Sequence, residues 1–411
     1  MDSLSAKVRT ALKANSFPGM IHALRISPPE IHSPNRTVLK AVLCTDSGQE
    51  FHQYMDIEST GGVAIEEDDL QDAWCIFFIH KMMEIGGEFS ITGPGKLSRS
   101  LLVNLDRYAE AWNRWMPETF HRITLHTPSI REDSAVPQQK DAISCFSGGL
   151  DACFTAYRHR KGLAGLQNLN LAACVMFQGA DIKEGNQDHF EKAFNKAAEL
   201  LQDIGIRQFY RLRTNFRELE TDYEMTYHTM LMGGMRVFTS RFGYFMAASE
   251  GSYDSFSYPW ASNPITDHYL GSHSKEAVTD GMGFDRTEKA AVVAGWDKAM
   301  RLLRCCWEGE DQSGNCGVCT KCRLTIMNFM AMGIPRDNIL CMPRNAMNED
   351  ISQIQFNRPF RVLYAQEILR HAKANGLGQE PWVATLERQL KERNVRKIGF
   401  GHKIRQLLHC R

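Results

Sequence analysis

Long apolar runs are absent from this chain. Its most apolar stretch, Ala73-Trp-Cys-Ile-Phe-Phe-Ile79, is far shorter than the roughly 20 residues a membrane helix needs and reads as buried core. A surplus of positive charge is absent too, with Lys+Arg and Asp+Glu equal at 48 each. A chain that grips nucleic acid along a large face needs such a surplus, so a nucleic-acid partner is not expected, although a local patch stays open. The opening Met1-Asp-Ser-Leu-Ser-Ala-Lys7 lacks the basic-then-apolar layout of a signal peptide. A cytoplasmic chain without a membrane partner is therefore expected, in which the twelve cysteines are thiols and metal ligands rather than disulfides. No internal repeat or low-complexity tract is visible.

What is present is ordinary globular material. The chain has 411 residues, 43% hydrophobic and 23% charged. That is too long for one ordinary core, and two or three domains are expected. Residues 1–135 begin with strand-like runs at 19–26 and 37–43 and continue with helical patterns at 68–85 and 97–115, an N-terminal α+β domain. The polar stretch Ser129–Lys140 has the composition of a linker. Residues 141–345 alternate strands (142–146, 171–177, 207–213) with helices (from 152, and 188–203). This predicts an α/β domain with a parallel sheet covered by helices. Residues 346–411 read as a helical C-terminal segment. Its last 26 residues hold eight Lys/Arg against two Glu, more in keeping with a solvated helix than an RNA grip.

Two motifs carry chemistry. Phe146-Ser-Gly-Gly-Leu-Asp151 falls where a strand ends and a helix begins, a place where backbone N–H groups and the helix dipole attract anions. Gly148 and Gly149 let the backbone approach a phosphate, and Ser147 adds a hydroxyl. Asp151 can cap free N–H groups or face magnesium. A plain strand–turn–helix corner is the bland alternative. The second motif is Cys306-x9-Cys316-Gly-Val-Cys319-Thr-Lys-Cys322, four soft ligands at spacings suited to tetrahedral zinc. With all four positions taken by thiolates the zinc is structural. An iron–sulfur cluster is the lesser alternative, and Cys305 could stand in for Cys306.

Ser-Gly-Gly-Leu-Asp resembles the S-G-G-x-D-S signature of PP-loop ATP pyrophosphatases, with Ala152 in place of the closing serine. The resemblance implies a loop that holds the pyrophosphate of ATP while a substrate atom attacks the α-phosphorus. Motif order narrows it. The loop, then Arg286-Thr-Glu-Lys289, then Cys-Trp before the cysteine knuckle, is similar to the 7-cyano-7-deazaguanine synthase (QueC) family and its relatives in bacterial anti-phage operons (type IV CBASS and Qat). It covers about residues 142–335. What it implies is ATP-driven activation of the carboxylate of 7-carboxy-7-deazaguanine, followed by delivery of nitrogen. Ser147, Gly148, Gly149, Leu150, Asp151, Gln178 and Gly179 would hold ATP and its magnesium, with Gln178 and Gly179 as readily an ordinary turn. Asp151, Arg286 and Lys289 would carry catalysis, the two cations meeting charge at the α-phosphate. The family's Tyr-Pro-Asp-Cys-Arg stretch is missing. Its nearest counterpart, 257–268, offers Tyr258, Trp260, Asn263, Asp267 and His268 to a deazaguanine, although His268 also suits an ordinary polar loop. The added terminal zones suggest an amine on a partner protein as acceptor. Ammonia as acceptor, RNA modification, and a non-catalytic nucleotide-binding module are the rival readings.

Overall fold

The computed structural model describes residues 21–133, 136–137, 140–238, 241–255, 259–344, 346, 354–356 and 358–392. It is an α/β fold built on one 11-stranded, largely parallel sheet. The first strands are β1 (Ile21–Ile26), β2 (Glu30–Ser33), β3 (Arg36–Cys44) and β4 (Glu50–Glu58), joined antiparallel. Then come α1 (Leu70–Ile85), β5 (Gly87–Thr92), β6 (Leu97–Ser98), α2 (Arg99–Trp115), β7 (Ile123–His126) and β8 (Ile130–Arg131). β5 and β7 extend the sheet beside β1, and β6 pairs with β8 apart from it.

The alternating zone supplies β9 (Asp141–Cys145), α3 (Leu150–Arg160), β10 (Asn170–Gln178), α4 (Gln187–Asp203), β11 (Gln208–Thr214), α5 (Tyr223–Arg236), β12 (Tyr244–Ala248) and β13 (Glu276–Asp280). Their strands are parallel in the order β13-β12-β9-β10-β11. Helices α6 (Arg286–Ala294), α7 (Asp297–Leu302), α8 (Thr320–Ala331), α9 (Pro359–Ala374) and α10 (Pro381–Glu392) follow. No helix among the described residues is long and apolar enough to cross a membrane.

The continuous apolar runs make strands buried on both faces. Along β10, Ala173, Val175 and Phe177 enter the core beneath α1, α2 and α5. Cys174 and Met176 enter the core beneath α3, α4, α6 and α8. The sheet does not stop between the two zones, because β4 pairs antiparallel with β11, from Arg211↔Glu58 to Thr214↔Met55. The stretch 129–140, linker-like in composition, is pinned at its start. Ile130–Arg131 pairs with Leu97–Ser98, and the Asp133 carboxylate accepts from the Ser100 N–H at 3.0 Å.

A buried charge cluster binds the zones together. Arg236 of α5 and Asp72 of α1 are both fully buried and ion-paired. Arg131 reaches the same carboxylate at 2.9 Å, and the Ser98 N–H donates to it at 2.7 Å. Alongside, α5 crosses α1 at Gly233, where a Cβ would lie 2.8 Å from the Ala73 carbonyl oxygen. Removing one partner of such a cluster strands the other in a medium that cannot solvate it. Arg236→Ala should therefore lower stability by about 3 kcal/mol. Urea unfolding would register this as an earlier midpoint, and an unmoved midpoint would deny the cluster any stabilising role.

Candidate functional site

The glycine loop lies between β9 and α3. Gly148 sits at φ +74°, a conformation glycine adopts without strain, and Gly149 caps α3 with no side-chain partner. The N–H groups of Leu150, Asp151 and Ala152 occupy the first helical turn, where no intrahelical acceptor exists. Ser147 Oγ accepts from the Gly149 N–H at 3.3 Å and so folds the loop on itself. Arg304 secures it from outside: its N–H donates to the Gly148 carbonyl at 2.9 Å and Nη2 to the Ser147 carbonyl at 3.5 Å. Its Nη1 donates to the carbonyls of Cys306 and Gln312, each at 3.1 Å, so one guanidinium spans the loop and the cysteine knuckle.

Asp285 caps α6 in a reciprocal capping box with Glu288, which fixes the first turn. Arg286 and Lys289, three residues apart on that turn, then share a side. Arg286 Nη1 lies 3.3 Å and Lys289 Nζ 3.6 Å from the Asp151 carboxylate. Arg286 borders a cavity and stacks over the Tyr364 ring at 4.9 Å. Lys289 stands behind, fully buried, and donates to the Ser249 carbonyl at 2.6 Å and hydroxyl at 2.9 Å. Burial pulls its ammonium below the ordinary lysine range, and Asp151 opposes that pull.

The cavity, of about 630 Å³, opens over the carboxyl ends of β9, β10 and β12. Beside the β10 end its wall is apolar, with Val175, Met176, Phe177 and Ile182. Glu250, Trp260, Lys321, Phe360 and Tyr364 line it as well. Strand order reverses here, β10 lying on one side of β9 and β12 on the other. Open α/β sheets bind ligands in the crevice at such a reversal.

The knuckle packs against the loop. Cys306 Sγ lies 3.5 Å from Cys316 Sγ and 3.7 Å from Cys319 Sγ, and Cys316 Sγ lies 3.9 Å from Cys322 Sγ. All four sulfurs fall within 4.8 Å of one another. Tetrahedral zinc with bonds of about 2.3 Å sets sulfurs about 3.8 Å apart, so the four could hold it. The N–H groups of Cys319 and Cys322 point at Cys316 Sγ and Cys319 Sγ, the pattern that stabilises thiolates. Asn315 Oδ1 accepts from the N–H groups of Cys305 and Cys306, holding the first ligand in place. Cys305 itself borders the cavity and is outside the set of four. A second cluster, Asp285, Glu288 and His371, is already satisfied: the box uses Glu288, while Arg370 and His371 each reach Asp285 at 2.6 Å.

The remaining expected residues divide. Gln178 is buried and points away from the cavity, donating to the Glu184 carbonyl at 2.8 Å and accepting from Arg213. Gly179, at φ +94°, is glycine because a Cβ would lie 2.0 Å from the Thr214 carbonyl oxygen. Among the described residues of 257–268, only Trp260 borders the cavity. Asn263 Oδ1 accepts from the Ile265 and Thr266 N–H groups, and Asp267 accepts from the Asn263 N–H, Ser262 and Thr279. Both build the turn rather than face the cavity. His268 is exposed, and Tyr258 lies outside the described residues. Sequence reasoning missed Glu250, Arg304, Lys321 and the α9 residues, whose shared location depends on strand order and helix docking. No family model, curated protein or solved structure matches this chain.

Two predictions follow from these contacts. Purified protein should carry about one zinc per chain, and Cys319→Ser should lower both zinc content and melting temperature, since metal binding is folding energy here. Metal analysis showing neither zinc nor iron would refute the knuckle as a metal centre. The second concerns Glu367 on α9, pushed up to about 7 by burial and then by Asp285, with Arg286 and Arg370 opposing. The folded chain therefore holds a proton that the unfolded chain releases above about 4.5, so stability falls as pH rises from there through about 7. The comparison is with Glu367→Gln, which should flatten that decline in urea titrations at pH 5.5 and 8. Identical pH slopes for the two proteins would exclude Glu367 as the cause.

Proposed function

We propose that this chain is an ATP-consuming PP-loop enzyme that adenylates a carboxylate and passes the acyl group to an amine. The supporting observation is convergence: the glycine loop, Asp151 and Arg286 meet at a cavity over the strand-order reversal. In this reading the α3 N–H groups and the loop backbone hold the pyrophosphate end of ATP. The apolar wall beside β10 takes the adenine. A substrate carboxylate oxygen attacks the α-phosphorus, the bond to pyrophosphate breaks, and an acyl-adenylate forms. Arg286 faces the charge that develops there, held by Asp151 and by the Tyr364 ring. Lys289 acts one step back, fixing Asp151 against the end of β12. Asp151 Oδ1 is buried and accepts no hydrogen bond, with Lys289 Nζ 3.6 Å away; the Asp151 carboxylate would hold a magnesium ion, which would supply charge to neutralise the pyrophosphate. An amine then attacks the acyl carbon, AMP leaves, and the amine loses a proton.

The substrate we propose is 7-carboxy-7-deazaguanine, with an amine of a partner protein as acceptor. Ammonia is the alternative acceptor, giving first the primary amide; a second ATP-driven activation of the amide oxygen, which then leaves with AMP, gives the nitrile. A non-catalytic nucleotide-binding module is the reading favoured by Ala152, which borders the cavity where the PP-loop signature has a hydroxyl.

Pyrophosphate release with ATP and 7-carboxy-7-deazaguanine separates these readings. Asp151→Ala should reduce release by about a hundredfold or more, as loss of one preorganised charge at a transition state does, when assayed well below a melting temperature that also falls, because the buried Lys289 ammonium loses its facing carboxylate. Wild-type release unaffected by Asp151→Ala would place the active site elsewhere; no release from wild type with this carboxylate would overturn the substrate assignment, and none with any candidate carboxylate or RNA would leave the binding module.

A further inference from the structure

The β12 side of the cavity contains polar groups that the nucleotide chemistry does not use. Glu250 lies two residues past β12 and borders the cavity. Trp260 Nε1 donates to its Oε2 at 3.1 Å, and among the described residues no ion pair holds it. Lys321 borders the same space without a hydrogen bond or ion pair among the described residues, its ammonium only grazing the Trp307 ring at 6.0 Å. The Tyr227 hydroxyl, also on the cavity wall, is buried without a hydrogen-bond partner. Trp260, Phe360 and Tyr364 run together as an aromatic wall, successive ring centroids 5.7 Å apart. Glu250 and Lys321 are half-buried, whereas the Tyr227 hydroxyl is a buried atom, and buried polar groups in native proteins are nearly always paired, so that hydroxyl beside two under-partnered charges marks a place for a ligand's own polar atoms.

The types of group specify that ligand. A carboxylate accepts only, so Glu250 asks for N–H donors, and its two oxygens suit two donors side by side. A cationic amine would meet those donor requirements but would face Lys321 and Arg286 as like charges. A neutral N–H edge avoids that repulsion. The aromatic wall asks for a flat ring, and Lys321 for an anionic or acceptor group elsewhere on it. Resting on the proposed carboxylate activation, we infer that this side is the acid-substrate subsite. Glu250 is its specificity-determining residue, reading the adjacent N–H donors of a flat heterocycle whose acidic substituent lies toward Lys321. The expected subsite thus moves from the 257–268 turn, of which it keeps Trp260, to the end of β12 and helices α8 and α9.

Calorimetric titration of the full chain tests this with 7-carboxy-7-deazaguanine and with its analogue lacking the 2-amino group. A site built around N–H donors rejects the analogue that lacks one, because its own acceptor is left unpaired. Wild type should bind the parent about a hundredfold more tightly. Glu250→Gln should lose most of that preference while binding ATP as wild type does. Trp260→Phe, which removes the N–H that orients Glu250 and trims the aromatic wall without abolishing it, should weaken the preference partially. Equal binding of the two heterocycles by wild type, or a preference undiminished in Glu250→Gln, overturns the assignment, and the first of these needs no variant to fold. ATP binding in the absence of any heterocycle binding sinks this inference and leaves the nucleotide reading standing. Heterocycle discrimination without ATP binding does the reverse.

Discussion

The position of β9 governs the rest of the molecule. It lies between β10 and β12, strands reached by connections that leave it in opposite directions. Right-handed crossovers then place helices on both faces and leave a gap over the carboxyl end of the strand where the connections diverge. The chain leaving that end must turn into α3 within Phe146–Gly149, and the turn is affordable in this space only with glycine at φ +74°. The anion-attracting helix start, the cavity and the meeting of Asp151 with Arg286 are all consequences of that one placement.

The cysteine knuckle serves this arrangement mechanically. It lies beside the loop, and Arg304 ties the two with hydrogen bonds to four carbonyls, those of Ser147, Gly148, Cys306 and Gln312. A metal on the four thiolates would stiffen a segment otherwise rich in turns. That stiffness reaches the loop through Arg304 and the cavity through Lys321, which sits between Cys319 and Cys322. The knuckle can thus shape a ligand site without offering a metal coordination position to the ligand.

The parts legible in the sequence were those whose partners are close in the chain. Loop glycines, four cysteines with short spacings, and a helix start with cations three residues apart each declare themselves within a few residues. The parallel strands declared themselves through long apolar runs. β4 did not, because Glu50-Phe-His-Gln-Tyr-Met-Asp-Ile-Glu58 is polar enough to pass for a loop until β11 pairs with its end. The stretch 259–268 shows a related ambiguity. Asn263 and Asp267 have the side chains of a recognition site, but short polar side chains satisfy local backbone and neighbouring hydroxyl groups just as well, and here they do. Nothing local distinguishes those two uses.

Glu250 shows the opposite case, a residue lining the cavity with no local signature. Its setting is made by three segments distant in sequence: the end of β12, the start of α8 at Lys321, and α9 with Phe360 and Tyr364. Tyr364 closes the arrangement, since its hydroxyl donates to the Glu250 carbonyl at 3.3 Å while its ring receives Arg286. Helix α9 is therefore no appendage to the sheet domain. It supplies one wall of the cavity and a direct contact to the arginine that pairs with the loop aspartate. Excluding water from that wall strengthens every charge interaction inside it, because the effective dielectric falls. A C-terminal helix docked by Asp285 through Arg370 and His371 thus controls the electrostatics of a loop more than 200 residues earlier, which is why neither could be understood from its own stretch of sequence.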